Sequence, residues 1–286
     1  MIRLIVNADD LGSSPGRDRG IFLAFTQGIV TSASLLANGP SFASAAREAL
    51  ACALPVGVHL NLSEGAALTG TIAGLTDAAG NFPGKTALRR ILLNGAFDQA
   101  AVRQELLAQV VRVVAAGLTP DHLDTHQHCL LFPAVTGIVA DVAVTSGIRA
   151  LRLPLPAEPS RTEPCEEDRI PANLPDNLAA ELEWYRHLAP AARQTLISRG
   201  LWMPDGLWGM PLLNRLDETF LAKTLSFIPP GTWELMTHPG YGSPYDPFGG
   251  PEREAELAAL TAPSMRRQLD ERGIALTTFG ACACAC

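Results

Sequence analysis

Two adjacent carboxylates, Asp9 and Asp10, end the apolar segment that opens the chain, and a glycine turn follows them. Side chains alternate faces along a strand, so these neighbours share one environment only if the second lies where the strand breaks into a loop. A metal ligand must stay ionised, whereas a general base must be free to accept a proton. The pair could supply one of each. The simpler alternative is that an aspartate caps the helix that Ser14 and Pro15 predict.

Imidazole groups provide a second set of candidate residues. His59 lies late in an apolar segment, and His122, Asp124, His126 and His128 alternate along a later one. With a strand period of two, these four side chains share one face, and burying them is costly unless they are paired or hold a metal ion. A single histidine such as His59 could instead be a hydrogen-bonded core residue.

These donors predict a divalent metal ion held by Asp10, His59 and His126, with Asp124 or His128 behind the ligands or in contact with substrate. Two imidazoles and a carboxylate suit Zn, Mn, Co, Ni or Fe, whereas Mg prefers more oxygen ligands, so the donor set does not fix the element. We expect Mg or Zn first, and Mn, Co and Ni are compatible.

The order of the predicted elements indicates the scaffold that positions these residues. Strands and helices alternate in roughly seven β/α units without a long linker, so we predict an α/β class and a single, irregular (β/α) barrel over residues 1–280. The predicted strands are 3–8, 30–37, 56–62, 122–129, 150–153, 233–237 and 274–278, and the predicted helices are 16–27, 42–51, 99–116, 134–146, 217–227 and 252–271.

In a β/α barrel, catalytic groups come from the carboxyl ends of several strands, and the candidates follow this rule. Asp9 and Asp10 end the first strand, Arg152 ends another, and His238 ends a late strand. Two irregular segments, Ser63–Lys85 and Pro154–Pro175, are predicted to be loops over the barrel mouth, and plain surface loops are the alternative.

Composition excludes several classes of protein. The net charge of -7, with no basic run, argues against nucleic-acid binding. No apolar run reaches the length of a membrane span, and the first residues lack a basic and then apolar leader, so a cytoplasmic location is expected. A homodimer is left open.

The cysteines do not form a disulfide framework. Cys52, Cys129 and Cys165 are isolated, and Cys282, Cys284 and Cys286 alternate with alanine at the chain end. This tail could bind a soft metal, but we expect residues 281–286 to be disordered or an appended sequence.

Several motifs together resemble the YdjC-like carbohydrate deacetylases, a family that includes a chitooligosaccharide deacetylase. They occur in the family's order over nearly the whole chain, and the resemblance is weakest from Leu155 to Gly200. The motifs are Asn-Ala-Asp-Asp-Leu-Gly at 7–12, Gly-Ile-Val-Thr-Ser-Ala-Ser at 28–34, Gly-Val-His-Leu at 57–60, His-Leu-Asp-Thr-His-Gln-His at 122–128 and Met-Thr-His-Pro-Gly at 236–240.

The resemblance implies a distorted TIM-type barrel, a divalent metal on Asp10, His59 and His126, and hydrolysis of the N-acetyl group of an amino sugar. It also implies Asp9 as the base and His238 as the acid. The substrate would be a small acetamido sugar such as a chitooligosaccharide, or a lipid-linked N-acetylglucosamine as in hopanoid assembly.

These roles agree with the chemistry of amide hydrolysis. An amide carbonyl is a poor electrophile and an amine is a poor leaving group, so the reaction needs an activated water and a proton donor. Asp9 would accept the water proton, and His238 would protonate the amine. Arg152 would either orient Asp9 and keep it ionised or pair with a structural acid.

Aromatic side chains in the Gly/Pro-rich segments are candidates for stacking on a sugar ring, although core packing is their commoner role. We predict that Trp208 and Tyr241 form the stacking pair. The full set is Trp202, Trp208, Tyr241, Tyr245 and Phe248.

Two other classes of function are considered. A non-haem iron oxygenase would use His122, Asp124 and a later histidine as its triad, and the adjacent aspartates would then have no role. A catalytically silent sugar-binding protein would keep the aromatic residues but lack a base, a ligand or an acid, and here none is missing.

Overall fold

The computed structural model describes residues 1–157, 176–242 and 248–284, in which parallel strands alternate with helices. The strands are β1 (Ile2–Leu11), β2 (Ser32–Leu35), β3 (Val56–Leu60), β4 (His122–Thr125), β5 (Ala150–Leu151), β6 (Leu207–Trp208), β7 (Gly231–Thr237) and β8 (Ile274–Leu276). The helices are α1 (Pro15–Gln27), α2 (Phe42–Cys52), α3 (Lys85–Asn94), α4 (Gln99–Ala115), α5 (Pro133–Ser146), α6 (Asp176–Ser198), α7 (Glu218–Phe227), α8 (Glu252–Thr261), α9 (Pro263–Glu271) and α10 (Phe279–Ala283).

The strands form one curled parallel sheet with the order β5-β4-β3-β2-β1-β7-β6, and β8 pairs with the first residues of β1. The apolar residues of β1 explain its central place, because Leu4, Val6 and Ala8 on one face and Ile5 on the other are fully buried. A parallel strand covered on both faces needs such a continuous apolar run. The hydrophobic core lies between this sheet and the surrounding helices.

The two end strands, β5 and β6, are not joined by a ladder of paired residues. Isolated parallel bridges, Ala150 with Trp202 and Pro156 with Leu207, link this region across the gap. Pro154 and Pro156 lack an N–H donor, which shortens the pairing at this edge. The predicted α/β class and parallel β/α organisation are therefore confirmed, but the sheet is a curled one that stops short of a regular closed barrel.

Several predicted elements are corrected by the structure. The predicted strand 122–129 ends at Thr125 and continues as a 3₁₀ turn, His126–Leu131. The predicted helix 252–271 is divided into α8 and α9, since Pro263 cannot donate the hydrogen bond that would continue it. The elements α3, α6, β6 and α10 were not predicted. Residues 158–175 of the predicted Pro154–Pro175 loop, with Cys165, lie outside the described residues.

Part of the chain end forms the helix α10. Thr278 caps α10 by accepting a hydrogen bond from Ala281 N, and Phe279 and Cys282 are buried. Residues 285–286 are outside the described part. Among the described residues, no helix combines the length and the apolar character needed to cross a membrane.

Candidate metal centre and active-site pocket

Asp9 and Asp10 lie where β1 becomes irregular. The pairing of β1 with β2 shifts register between Ala8 and Leu11, and Asp10 has a positive φ of 67°. This left-handed conformation is unusual outside glycine and is often found at functional sites. The irregularity lets both carboxylates face the same pocket. Neither aspartate caps α1, because Ser14 does so.

Three buried donors converge at this point. His126 Nδ1 lies 3.1 Å from Asp10 Oδ1 and 3.2 Å from His59 Nε2, and His59 Nε2 lies 3.4 Å from Asp10 Oδ1. The structure therefore brings together the three residues predicted to hold the metal. They come from the ends of β1 and β3 and from the turn after β4.

The position of His59 is fixed from behind by Asp124. The register of β3 and β4 places the two residues side by side, and His59 Nδ1 donates to Asp124 Oδ1 over 2.8 Å. Because Nδ1 is engaged with Asp124, Nε2 is the ring nitrogen left to bind a cation, and it points toward Asp10 and His126. This arrangement of a carboxylate behind a histidine is typical of metal sites.

The turn that carries His126 is strained. Gln127 and His128 both have φ values of 58°, which non-glycine residues rarely adopt. The turn puts His126 against Asp10 and puts His128 on the pocket wall, where its ring contacts Tyr185 edge-on at 5.4 Å. The predicted stripe of four residues on one strand face is wrong, since the strand ends before His126.

The electrostatics of the cluster favour positive charge. Burial alone would lower the pKa of both imidazoles, but neighbouring carboxylates raise the pKa of His59 to about 10 and that of His126 to about 9. Burial would raise the pKa of Asp10, and the two histidines instead bring it well below its usual value. An ionised carboxylate and two imidazoles thus surround a point suited to a cation.

The donor set fits a divalent metal ion. Asp10 Oδ1 is buried and makes no hydrogen bond within the described part of the chain, although two ring nitrogens face it. Such an orphaned oxygen is costly unless a cation satisfies it. One carboxylate and two imidazoles suit a transition metal or zinc, and free positions remain for water or substrate.

Arg152 is fully buried and binds several carboxylates at once. It donates to both oxygens of Asp9 over 2.6 Å, lies 2.9 Å from Asp124 Oδ2 and donates from Nε to Glu234 over 2.7 Å. Burial would raise the pKa of Asp9, but Arg152 outweighs this and lowers it. The two alternatives considered for Arg152 are therefore not exclusive, because it contacts Asp9 and also pairs with Asp124 and Glu234.

Glu234 is the weakest acid of this group, because burial raises its pKa to about 7 despite Arg152. The cluster is completed by Asn7, whose Nδ2 donates to Asp9 Oδ1 over 2.8 Å. These contacts hold the carboxylate of Asp9 in one orientation at the pocket floor. Neither Glu234 nor Asn7 was predicted as a site residue.

His238 lies opposite, with Nε2 at 3.9 Å from Asp9 Oδ2. Its backbone is held on both sides, since its N–H donates to Glu256 over 2.8 Å and its carbonyl accepts from Arg17 over 3.0 Å. Burial lowers the pKa of His238 to about 3, and Asp9 and Asp10 oppose this only in part. His238 is therefore a neutral imidazole at neutral pH. Its ring meets Phe248 edge-on at 5.2 Å.

One pocket of about 390 Å³ at the carboxyl ends of the strands is lined by Asp9, Asp10, His59, His126, His128 and His238. A volume of this size suits a small ligand or part of a larger one. The predicted stacking pair does not line it. Trp208 is 1 % exposed and packs against Trp233 at 6.1 Å, and Tyr241 instead stacks with Arg19 at 4.2 Å.

Tyr185 and Phe248 are the aromatic residues of the pocket wall. Trp202 contacts Phe279 and lines a separate cavity with Met1 and Arg3, away from the strand ends that carry the site. Tyr245 lies outside the described residues. The error about Trp208 arose because sequence could not show that β6 places it inside the core.

Other pocket residues were missed by the sequence analysis. Glu64 Oε1 lies 3.6 Å from His126 Nε2, and Lys85 and Glu181 form an ion pair of 3.2 Å at the pocket wall. A local signal for Glu64 exists, because Asn61 accepts from the backbone N–H groups of Ser63 and Glu64 in a side-chain turn. Glu181 and Tyr185 belong to α6, in the segment where the resemblance is weakest.

Known proteins resemble this chain in sequence and in fold. The model of the YdjC-like protein family matches residues 3–271. A carbohydrate deacetylase of Mus musculus is 36% identical in an alignment of 307 positions, gaps included, that covers 96% of this chain and 93% of that protein. A carbohydrate deacetylase of Geobacillus stearothermophilus is 32% identical, with 96% of each chain covered. A crystal structure from Enterococcus faecalis, 23% identical, shares the fold with a TM-score of 0.76 over 98% of both chains.

Proposed function

The chain belongs to the YdjC-like family, and from this membership and its site we propose that it is a divalent-metal-dependent carbohydrate deacetylase. The reaction is hydrolysis of the amide bond in an acetamido sugar, which yields acetate and a free amine. The single observation that carries the proposal is the convergence of Asp10, His59 and His126 beside Asp9 and His238 in one pocket. Relatives that align over almost the whole chain are named carbohydrate deacetylases.

Asp10, His59 and His126 would hold the metal ion. When bound, a divalent cation polarises a carbonyl group and lowers the pKa of water, which is the chemistry that an unreactive amide requires. Zn and Mg are the first ions to test, followed by Mn, Co and Ni. Asp124 acts behind His59 and keeps its Nε2 available as a ligand atom.

Asp9 is the general base of the proposal. Arg152 keeps its carboxylate ionised and oriented, so it can accept a proton from the attacking water. The two hydrogen bonds from Arg152 also limit how far Asp9 can turn. A fixed base beside the substrate removes the orientation cost from the reaction step.

His238 is the general acid. It is neutral in the resting site, so it must gain a proton before it can donate one. Asp9, which has taken a proton from water, lies 3.9 Å away and would pass that proton to His238, and negative charge developing on the substrate favours the imidazolium that forms. The protonated His238 then gives its proton to the amine nitrogen as the carbon-nitrogen bond breaks.

The substrate within this class is proposed to be a chitooligosaccharide or a lipid-linked N-acetylglucosamine. Tyr185 and Phe248 offer apolar surface at the wall, while His128, Lys85 and Glu181 offer polar contacts for hydroxyl groups. We also retain a distorted TIM-type barrel over residues 1–280 as the architecture, since isolated bridges approach closure. A cytoplasmic location and a homodimer stay predictions.

Neither alternative class fits the site as well. His122 reaches Asp124 only through Ser34 and joins neither buried donor cluster of the described residues, so the oxygenase triad is not assembled. A silent binding protein would lack one catalytic part, whereas base, acid and metal ligands all face this pocket.

Removal of the metal should abolish acetate release and leave the fold mostly intact. The three ligands are fixed by separate parts of the sheet, unlike those of a small domain that folds around its metal. Acetate release from chitobiose and longer acetamido sugars should be measured before and after chelation, and after each ion is restored, with circular dichroism in parallel. Full activity in a verified metal-free sample would refute the proposal.

Replacement of His238 by alanine should cripple hydrolysis of an acetamido sugar by roughly 10²–10⁴ but spare an activated aryl acetate, whose leaving group needs no proton. The ratio of the two rates is the measurement, and metal content and thermal stability should not change. Asp9→Asn is the matched comparison, because the proposed base activates the attacking water for either substrate, so its loss should slow both reactions alike. Equal losses on both substrates in His238→Ala would remove His238 from the acid role.

A further inference from the structure

A buried chain of polar contacts leads from the metal ligand His59 away from the pocket. Asp124 accepts from His59 on one oxygen and from Ser34 Oγ on the other, each over 2.8 Å. Ser34 Oγ lies 3.4 Å from His122 Nε2, and His122 Nδ1 donates to Asp121 Oδ1 over 2.7 Å. His122, Ser34 and Asp124 are all completely buried.

His122 is clamped in place by its surroundings. Its ring fills the space beside Gly57, where a Cβ atom would lie 2.4 Å from the imidazole. On the other side, Phe279 of α10 stacks on the ring with centroids 3.8 Å apart and planes 16° from parallel. The same helix donates from Gly280 N to Asp121 Oδ2 over 2.9 Å. The C-terminal helix thus fixes both His122 and its carboxylate partner.

We propose that His122 is a positioning residue for the metal ligand His59 and acts through Ser34 and Asp124. The inference rests on the metal site of the proposed function. His59 presents Nε2 to the metal only while Nδ1 donates to Asp124, so the placement of Asp124 sets the direction of the ligand.

Besides His59, two residues hold Asp124 in place. Arg152 supplies charge at 2.9 Å, and Ser34 supplies a directed hydrogen bond at 2.8 Å. Ser34 is fixed in turn by Asn7 Nδ2 at 2.7 Å and by His122. His122 is the residue in this series of polar contacts that packs against α10, so through His122 the position of α10 affects the metal site.

Two substitutions separate this role from simple packing. His122→Phe keeps an aromatic ring stacked on Phe279 but loses the polar contacts, whereas His122→Gln loses the ring but keeps an amide that can reach Ser34. We expect His122→Phe to weaken Zn²⁺ and Co²⁺ affinity about tenfold, the lower end of the range for groups behind metal ligands, and His122→Gln to retain most of it. Trp202→Phe is the control, since Trp202 also packs on Phe279 but has no contact with the polar chain.

Metal affinity should be measured by calorimetry on full-length, metal-stripped protein, with the visible spectrum of the Co²⁺ form and the melting temperature alongside. A changed spectrum and weaker affinity in His122→Phe alone support the inference. If affinity and spectrum depend instead on the presence of an aromatic ring, so that His122→Phe matches wild type and His122→Gln does not, His122 is only a packing residue.

A wild-type protein that deacetylates with metal, while His122→Phe binds metal normally, would overturn this inference and leave the proposed function standing. Weaker metal binding in His122→Phe, with no deacetylation by wild type, would support the role of His122 and overturn the proposed function. A wild type that binds no metal would overturn both the role of His122 and the proposed function.

Discussion

Replacement of Asp9 by asparagine should lower turnover by roughly 10²–10⁴, the usual contribution of a general base, and should leave metal content unchanged. Asp9 Oδ2 lies at hydrogen-bonding distance from Arg152 and near His238, whereas the three proposed ligand atoms meet on Asp10, His59 and His126. Asparagine keeps the size of the side chain but cannot take up the water proton. Turnover and elemental analysis on the same sample test the prediction.

The matched variant is Asp10→Asn, which should fail in a different way. Asparagine tolerates the left-handed φ of 67° at this position, so the backbone should be preserved. A neutral amide oxygen is a weaker ligand than a carboxylate, so metal affinity itself should fall by more than the roughly 10–100-fold typical of a lost partner behind a ligand. A metal-free Asp9→Asn beside a fully loaded Asp10→Asn would show that the roles of the two aspartates are reversed.

The sequence indicated which residues form the candidate site better than it indicated the elements on which they lie. Asp9, Asp10 and His59 could be identified because apolar strands end at or near them, and parallel strands bring their carboxyl ends to one rim. His126 was identified by a wrong argument, since the strand ends at Thr125 and a strained turn, not strand periodicity, carries the imidazole to Asp10.

The remainder of the site depends on tertiary packing that local patterns do not encode. Glu64 reaches His126 from a segment that is pinned by buried Glu105, which accepts from the backbone N–H groups of Leu68 and Thr69. Tyr185 comes from α6, more than a hundred residues from His59, and only the folded sheet brings that helix to the pocket. No repeating pattern in the sequence indicates contacts between residues so far apart.

From the sequence, Arg152 was expected to have one of two alternative roles, whereas in the structure it lies among three acids. This position explains why its removal should cause a large loss in the free energy of unfolding. Arg152→Met should destabilise the fold by about 3–5 kcal/mol, the usual cost of stranding a buried charge. The apolar replacement fills much of the space but leaves Asp9, Asp124 and Glu234 without their cation. Urea unfolding in the presence of a chelator measures the loss without interference from metal binding.

The pH dependence gives this prediction a second, independent test. In the wild-type protein, burial would raise the pKa of Asp9 and Asp124. Arg152 and then His59 bring the pKa of Asp9 below its ordinary value of 3.8, and His59 and then Arg152 do so for Asp124. A depressed pKa contributes stability above the unfolded value and loses it as the pH falls through the folded value. In Arg152→Met the contribution of Arg152 is lost and only that of His59 remains, so the pKa values of these carboxyl groups should rise, most of all that of Asp9, and the groups should bind protons as the pH falls.

The stability gap between wild type and Arg152→Met should therefore be wide at pH 8 and narrower at pH 5. Arg253 provides the control, because it is equally buried and pairs with Glu256 at 3.3 Å, an acid whose pKa burial already raises to about 7. Arg253→Met strands less charge, so its loss should be smaller and should change less with pH. Equal losses in the two variants at both pH values would mean that lost packing, and not the three stranded carboxylates, accounts for the importance of Arg152.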